Sequence, residues 1–267
     1  MFYQPEKVFR MWDCWLYYHN GVHYLFYLHK TTEGPWDGMS VATSTDGVHF
    51  EEIGSIIEKR EDAEWLGTGS VWQAGKKFIL NFSESREGVQ AIFFAESDDL
   101  IHWKRLGDEY RIDPDPRWYN DTRSGRWDCI WAIPRDEGGF WGYLTANPWH
   151  SDEHPSGLEY RSVGMVESED GVRWRAVEPP VFEWGEIPQT KFEVGAIEKI
   201  GDKYYLQLGT GGYMGNRFGM YTFVGDSPKG PFRPDTQAFR LLGSKKEAMY
   251  FSRFYQIPGE LLVNHHS

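Results

Sequence analysis

Three acidic residues, Asp13, Asp128 and Glu193, each open a run of apolar and aromatic residues, in Trp12-Asp13-Cys14-Trp15, Trp127-Asp128-Cys129-Ile130-Trp131 and Phe192-Glu193-Val194-Gly195. An acid that stands alone before a strand is ordinarily a turn or solvated residue. Three at matching positions in a repeating chain suggest more, because the fold then gathers them into one concave pocket. In such a pocket one carboxylic acid can protonate a leaving oxygen while a second carboxylate attacks carbon or activates water. A third anion can raise the acid's pKa and stabilise developing positive charge. Cleavage of a glycosidic bond needs this division of labour.

The elements that must position these acids recur along the whole chain. Segments of about five to eight apolar or alternating residues, broken by Gly, Asp or Asn, predict strands, and helical periodicity is weak. Leu16-Tyr17-Tyr18 and His23-Tyr24-Leu25-Phe26-Tyr27-Leu28 flank Asn20-Gly21, and Phe78-Ile79-Leu80-Asn81-Phe82 follows Gly75-Lys76-Lys77, so both places read as hairpins. Similar units return at Ser44-Thr45-Asp46-Gly47-Val48-His49-Phe50, Ser97-Asp98-Asp99-Leu100-Ile101-His102-Trp103 and Ser168-Glu169-Asp170-Gly171-Val172-Arg173-Trp174. Each is expected at the outer edge of one unit. The units open at Asp13, at Ser70 within Gly67-Thr68-Gly69-Ser70-Val71-Trp72, at Asp128 and at Glu193, in steps of 57, 58 and 65 residues. A fourth step of that size lands near Tyr250-Phe251-Ser252.

A period near 60 suits four strands and their connections, and radial repetition of four-stranded sheets is how a propeller protects its edges. The expectation is therefore an all-β fold, a five-bladed β-propeller with four-stranded antiparallel blades around a central channel, forming one domain over residues 1–267. Only two strands of the fifth blade precede Ser267. Either the segment from Phe2 to Arg10 closes that blade or the natural chain continues. The period exceeds the roughly 40 to 50 residues of WD and kelch repeats.

Composition narrows the ligand. A net charge of −12 repels phosphate backbones and anionic bilayers, which argues against nucleic acid and membrane partners and for a small neutral carbohydrate. Neither an apolar run of about 18 residues nor a secretory leader is apparent, so a cytoplasmic location is expected. Cys14 and Cys129 read as buried free thiols, directed by strand alternation away from the channel into blade cores. No spacing of His, Cys and acids calls for a metal, and no cofactor is assigned. Oligomeric state is left open.

Aromatic side chains make up 17% of the chain, enough to supply sugar-stacking surfaces as well as cores. Trp12, Trp36, Trp65 and Trp127, with Trp149, lie in openings and loops and are candidates for binding substrate, together with Ser70 and Arg126. Trp103 and Trp174 lie at blade edges, where packing is the expected role. The loops 112–125 and 148–157 are expected to rim the pocket, with Arg117, Arg123 and His150 available for substrate hydroxyls.

The stretch from Trp12 to Tyr27 resembles the opening of glycoside hydrolase family 32, the invertases and fructosidases, in which an Asp nucleophile precedes a Tyr-rich hairpin ending in Leu-Phe-Tyr. Thr68-Gly69-Ser70-Val71 resembles that family's Ser-Gly-Ser-Ala element, and Ala95 to Lys104 its Ser-x-Asp-Leu-x-His-Trp edge. Arg126-Trp127-Asp128 stands where Arg-Asp-Pro would fall, and Phe192-Glu193-Val194 where Glu-Cys would. The resemblance implies Asp13 as nucleophile, Asp128 as transition-state stabiliser and Glu193 as general acid/base, acting on a furanoside or small oligosaccharide. The family's Asn-Asp-Pro-Asn-Gly run is missing, and Glu193 to Leu206 looks equally like family 43, the arabinanases and xylosidases, where the first Asp is a general base and the outcome is inversion. A glycoside phosphorylase would use basic residues such as Arg123, Arg126 and Arg217 to hold phosphate. A non-catalytic carbohydrate-binding propeller would keep the aromatics and tolerate loss of an acid.

Overall fold

The computed structural model describes residues 3–120, 125–149, 162–185, 192–211, 218–236, 240–244, 246 and 250–266. Nineteen strands follow one another: β1 (Arg10–His19), β2 (Val22–Lys30), β3 (Gly38–Ser44), β4 (Glu51–Glu58), β5 (Trp65–Ala74), β6 (Lys77–Arg86), β7 (Val89–Ser97), β8 (Trp103–Arg105), β9 (Trp127–Pro134) and β10 (Phe140–Ala146). After them come β11 (Ser162–Ser168), β12 (Arg175–Val177), β13 (Glu193–Ile200), β14 (Lys203–Gly211), β15 (Phe218–Gly225), β16 (Arg233–Pro234), β17 (Arg240–Ser244), β18 (Tyr250–Ile257) and β19 (Glu260–His266). Among the described residues the helical content is one 3-10 turn at Asp108–Tyr110. No helix there is long and apolar enough to cross a membrane.

The predicted hairpins form. His19 pairs with Val22 across Asn20-Gly21, both at positive φ (49° and 84°), the twist that a two-residue turn between antiparallel strands demands. Ala74 pairs with Lys77 across Gly75-Lys76, where Gly75 alone takes positive φ (62°). The repeated serine–aspartate units are the turns leading into the outer strands. In each, a carboxylate caps two backbone N–H groups: Asp46 Oδ1 accepts from Val48 and His49, Asp99 Oδ1 from Ile101 and His102, and Asp170 Oδ1 from Val172 and Arg173. Ser44, Ser97 and Ser168 accept from Gly47, Leu100 and Gly171, the three residues that take positive φ. These self-capped, largely exposed turns explain why so polar a motif recurs beside apolar strands.

Strands β1–β4, β5–β8 and β9–β12 form three four-stranded antiparallel sheets, and β13–β16 a fourth in which β17 also pairs with β15. Strands β18 and β19 make a two-stranded sheet. The arrangement is that of a β-propeller: four four-stranded blades are followed, among the described residues, by one antiparallel pair, the two strands of the fifth blade expected before Ser267. The leading strands β1, β5, β9, β13 and β18 contact one another in a ring, so the hairpin occupies the fifth position around the axis. The segment before β1 does not pair with it. Tyr3 packs on Tyr27 and Phe50, and the backbone N–H groups of Glu6 and Lys7 donate to Glu52, which lays this segment across the first blade.

The core lies between blades. Trp15, Phe26, Met39, Leu80 and Phe82 join the first two, Trp72, Phe94, Trp127 and Leu144 the second and third, and Tyr143, Met165, Leu206 and Phe223 the third and fourth. Trp72 Nε1 donates to the Gly171 carbonyl and Trp131 Nε1 to that of Ile197, so each indole satisfies its polar atom on the neighbouring blade. Trp103 and Trp174 pack in these clusters, as their positions at the blade edges suggest.

Candidate active site

Every leading strand carries a register shift close to its start. It falls at Trp12/Cys14 in β1, between Leu66 and Gly69 in β5, opposite Tyr143/Thr145 in β9, at Val194/Ala196 in β13 and at Tyr250/Ser252 in β18. An extra residue on one strand bends it and re-aims the side chains around it. Asp13 is the extra residue of β1 (φ 25°), and Cys129 and Phe251 adopt positive φ at the corresponding bulges (61° and 60°). Gly69 and Gly195 serve the bulges of the second and fourth blades. A Cβ on Gly69 would lie 1.7 Å from the Asn81 carbonyl oxygen, and one on Gly195 2.6 Å from that of Ser252.

The bulges bring the three acids together at one end of the channel. Arg126 Nη2 donates to Asp128 Oδ2 at 2.6 Å and stands 3.9 Å from Glu193 Oε1, while Ser83 Oγ donates to Asp128 Oδ1 at 2.6 Å. The side chains of Asp128 and Glu193 are 8% and 14% exposed, so both are mostly withdrawn from water yet keep an accessible fraction. Asp13 keeps an accessible edge but is surrounded by protein on nearly every side. Burial pushes its carboxyl up to about 7, the Arg253 guanidinium pulls it down, and the charges of Glu193 and Asp128 add to the rise.

Arg253 sits beneath the acids. It is 1% exposed, its Nη1 donates to the Gly195 carbonyl, and its Nη2 lies 3.1 Å from Cys129 Sγ. The rings of Phe251 and Trp131 flank the guanidinium at 4.5 and 5.4 Å. A guanidinium is charged at any accessible pH, so this is a fixed cation tying the third, fourth and fifth positions of the ring together. The two thiols part company here. Cys14 packs among Leu25, Tyr27 and Ala42 inside the first blade, as alternation predicts. Cys129 instead meets Arg253 and the Gly69 carbonyl at the axis, because its bulge interrupts the alternation on which the expectation rested. Both thiols are buried and pushed up, to about 12 and about 11, which leaves them protonated.

The profile of glycosyl hydrolases family 32, N-terminal domain, matches residues 14–184. The chain belongs to that family. It is accordingly a glycosidase. The matched residues take in Asp128 and stop short of Asp13 on one side and Glu193 on the other. Solved structures with the same fold include a B. subtilis levansucrase variant, at 14% identity and TM-score 0.74 over 96% of this chain and 78% of that one. A Bombyx mori family 32 β-fructofuranosidase matches at 15% identity and TM-score 0.70 over 95% of this chain and 54% of its own. The α-L-arabinanase of Cellvibrio cellulosa, solved with arabinohexaose, matches at 17% identity and TM-score 0.67 over 97% and 88%. No curated protein matches the chain in sequence.

The residues expected to bind substrate fall in different places in this glycosidase. Arg126 lies among the acids. Trp12 adjoins Asp13 on β1 and is partly exposed. Trp65 is also partly exposed, and a Cβ built on Gly67 would lie 3.0 Å from its ring and 3.1 Å from Asp128 Oδ1, so its ring borders the acids. Trp36 is partly exposed, with Lys30 Nζ 4.8 Å from its ring centre. Trp127 does not offer a platform: it is 1% exposed, packed at a tilt against Tyr119 and bonded through Nε1 to the Ile112 carbonyl, which makes it core. Ser70 donates to the Ile130 carbonyl and receives Asn81 Nδ2, tying the second blade to the third. Arg117 pairs with Asp115, and Trp149, 41% exposed, donates to the Pro116 carbonyl. Arg123, His150 and Arg217 lie outside the described residues.

Sequence reasoning passed over Ser83, Gln90, Asn81 and Arg253. Asn81 and Ser83 stand two apart in the apolar run of β6, hence on one face, and both are fully buried (0% exposed). Gln90 donates to Ser83 Oγ and accepts from the Trp127 N–H, extending the support of Asp128. A lone Arg within Phe251-Ser252-Arg253-Phe254-Tyr255 was the one local sign of a buried cation.

Proposed function

We propose that this family 32 glycosidase hydrolyses a furanoside or small oligosaccharide, in the manner of a β-fructofuranosidase, with Asp13, Asp128 and Glu193 as its working acids. The observation that carries the reading is Arg126 held between Asp128 and Glu193, with Asp13 close enough to feel the charge of all three. Asp13 as carboxylate attacks the anomeric carbon. The bond to the glycosidic oxygen breaks, and Glu193 gives that oxygen its proton. Water then attacks the same carbon, surrendering a proton to Glu193 as the bond to Asp13 breaks. Asp128, fixed by Ser83 and Arg126, supplies negative charge to the oxocarbenium-like transition states. Trp12, Trp36 and Trp65 are the sugar-facing aromatics.

The test offers the purified chain sucrose and short fructans, and separately an arabino-oligosaccharide, with methanol as a second acceptor. Fructose release with formation of methyl fructoside is expected, because a covalent intermediate partitions between water and methanol. Cleavage of the arabinoside alone, with no transfer, would replace this reading by the inverting, family 43-like mechanism that the likeness to the arabinanase keeps in view. Asp13→Asn and Glu193→Gln should each lower turnover by roughly 10³-fold or more. Near-normal turnover in either removes that residue from its role.

A further inference from the structure

A cavity of about 470 Å³ lies toward the far ends of the leading strands, beyond the acids at their beginnings. It is lined from all five leading strands, by Tyr17 and Tyr18 of β1, Gln73 of β5, Trp131 of β9, Glu198 of β13 and Gln256 of β18. Glu198 is five residues beyond Glu193 on β13, which at about 3.3 Å per residue puts it roughly 16 Å along the strand. Arg253 and Cys129 meet across the axis between the two levels. Glu198 is the single charged side chain lining the cavity, and its carboxyl makes no hydrogen bond or ion pair with the described residues. Burial alone pushes that carboxyl up to about 7.

A withdrawn carboxyl without a partner is costly to ionise, and a fold that keeps one in an accessible cavity gains when a counter-charge arrives. The surroundings say which kind. No Lys, Arg or His lines the cavity, so an anion has nothing to meet. Tyr17, Tyr18, Trp131 and Phe140 are partly exposed rings on its wall, and Gln73 and Gln256 are exposed amides. Ring faces and one carboxylate together suit an organic cation, which gains from both, whereas a hydrated metal ion would want several oxygens. We propose that the distal mouth of the channel is a binding site for a small organic cation, an alkylammonium, anchored by Glu198 against these rings. The site is separate from the acid pocket and does not rest on the proposed glycosidase mechanism.

Choline is a suitable probe, titrated calorimetrically into the intact chain at pH 8 and pH 6. One site is expected, and binding should weaken about tenfold at pH 6, where a carboxyl with a pKa near 7 falls from about nine-tenths to about one-tenth ionised. The other titratable groups on the wall are Tyr17 and Tyr18 of β1, and burial holds Tyr17 up at about 12, so its phenol stays neutral at both pH values. On β13 the next residue, Lys199, is engaged by Asp136. Glu198→Gln should weaken binding at least tenfold and erase the pH dependence, while Asp13→Asn should leave both intact. Absence of saturable binding at pH 8, retention in Glu198→Gln, or loss in Asp13→Asn would each overturn the assignment, the last by moving the cation to the acid pocket.

Discussion

Replacing Asp13 by Asn should abolish turnover and yet stabilise the fold, by an amount that depends on pH in a defined way. Burial raises the Asp13 carboxyl from an ordinary 3.8 to about 7 in the folded chain. Below about pH 3 the group is protonated in folded and unfolded chains alike, and ionisation costs the fold nothing. As pH rises from 4 to 7 the unfolded chain releases this proton while the folded chain retains it, so stability is progressively lost. Above pH 7 the whole penalty is present, about 4 kcal/mol for a rise of that size. Asn carries no charge at any pH. Its advantage over Asp should therefore be about 1.7 kcal/mol at pH 5 and about 4 kcal/mol at pH 8, an increase of between 2 and 3 kcal/mol. Any difference in hydrogen bonding between Asn and protonated Asp is common to both pH values and cancels from that increase. Urea unfolding of the two proteins at pH 5 and pH 8, followed by tryptophan fluorescence, reads the quantity directly. A gain that is the same at both pH values, or a loss at pH 8, would show that Asp13 is not held against ionisation, and the account of its burial would be wrong.

Three further outcomes follow from the same geometry. Since the Arg253 charge pulls the Asp13 carboxyl down, Arg253→Met should move the acid limb of the pH–rate profile to higher pH, and Arg253→Lys should bring it part of the way back; a profile that stays in place would leave Arg253 a purely structural tie. Ser83→Ala removes the hydrogen bond that, with that of Arg126, supports Asp128 and should lower kcat by about tenfold or more with little change in KM, in line with about 1.5 to 3 kcal/mol for a hydrogen bond to a charged group; unchanged kcat would detach Ser83 from the site. Trp127→Ala should cost about 3 to 5 kcal/mol of stability by denaturant unfolding, because its ring fills the core between the second and third blades, whereas Trp36→Ala should spare the fold and raise KM.

Much of this could be read before any coordinates. The period near 60, the Asn20-Gly21 and Gly75-Lys76 turns and the serine–aspartate units are local signals, each set by backbone preferences of a few neighbouring residues, and they locate the strands and hence the repeated sheets. Equivalent positions in successive repeats must then converge on the axis, so Asp13, Asp128 and Glu193 could be singled out although 115 and 65 residues separate them. What alternation could not convey is the bulge at the head of each leading strand. One extra residue reverses which side chains face inward, which is why Cys129 reaches the axis when its neighbours in sequence suggested otherwise. Arg253 was equally illegible as a site residue, since its meaning comes from a carbonyl 58 residues away and a thiol 124 residues away. Sequence by itself determined the repeat, the turns and the types of the three acids, because those depend on neighbours along the chain. The tertiary structure alone decided the raised carboxyl of Asp13, the arginines beside the acids and the cavity with Glu198, because burial and charge are set by groups that only folding brings within reach.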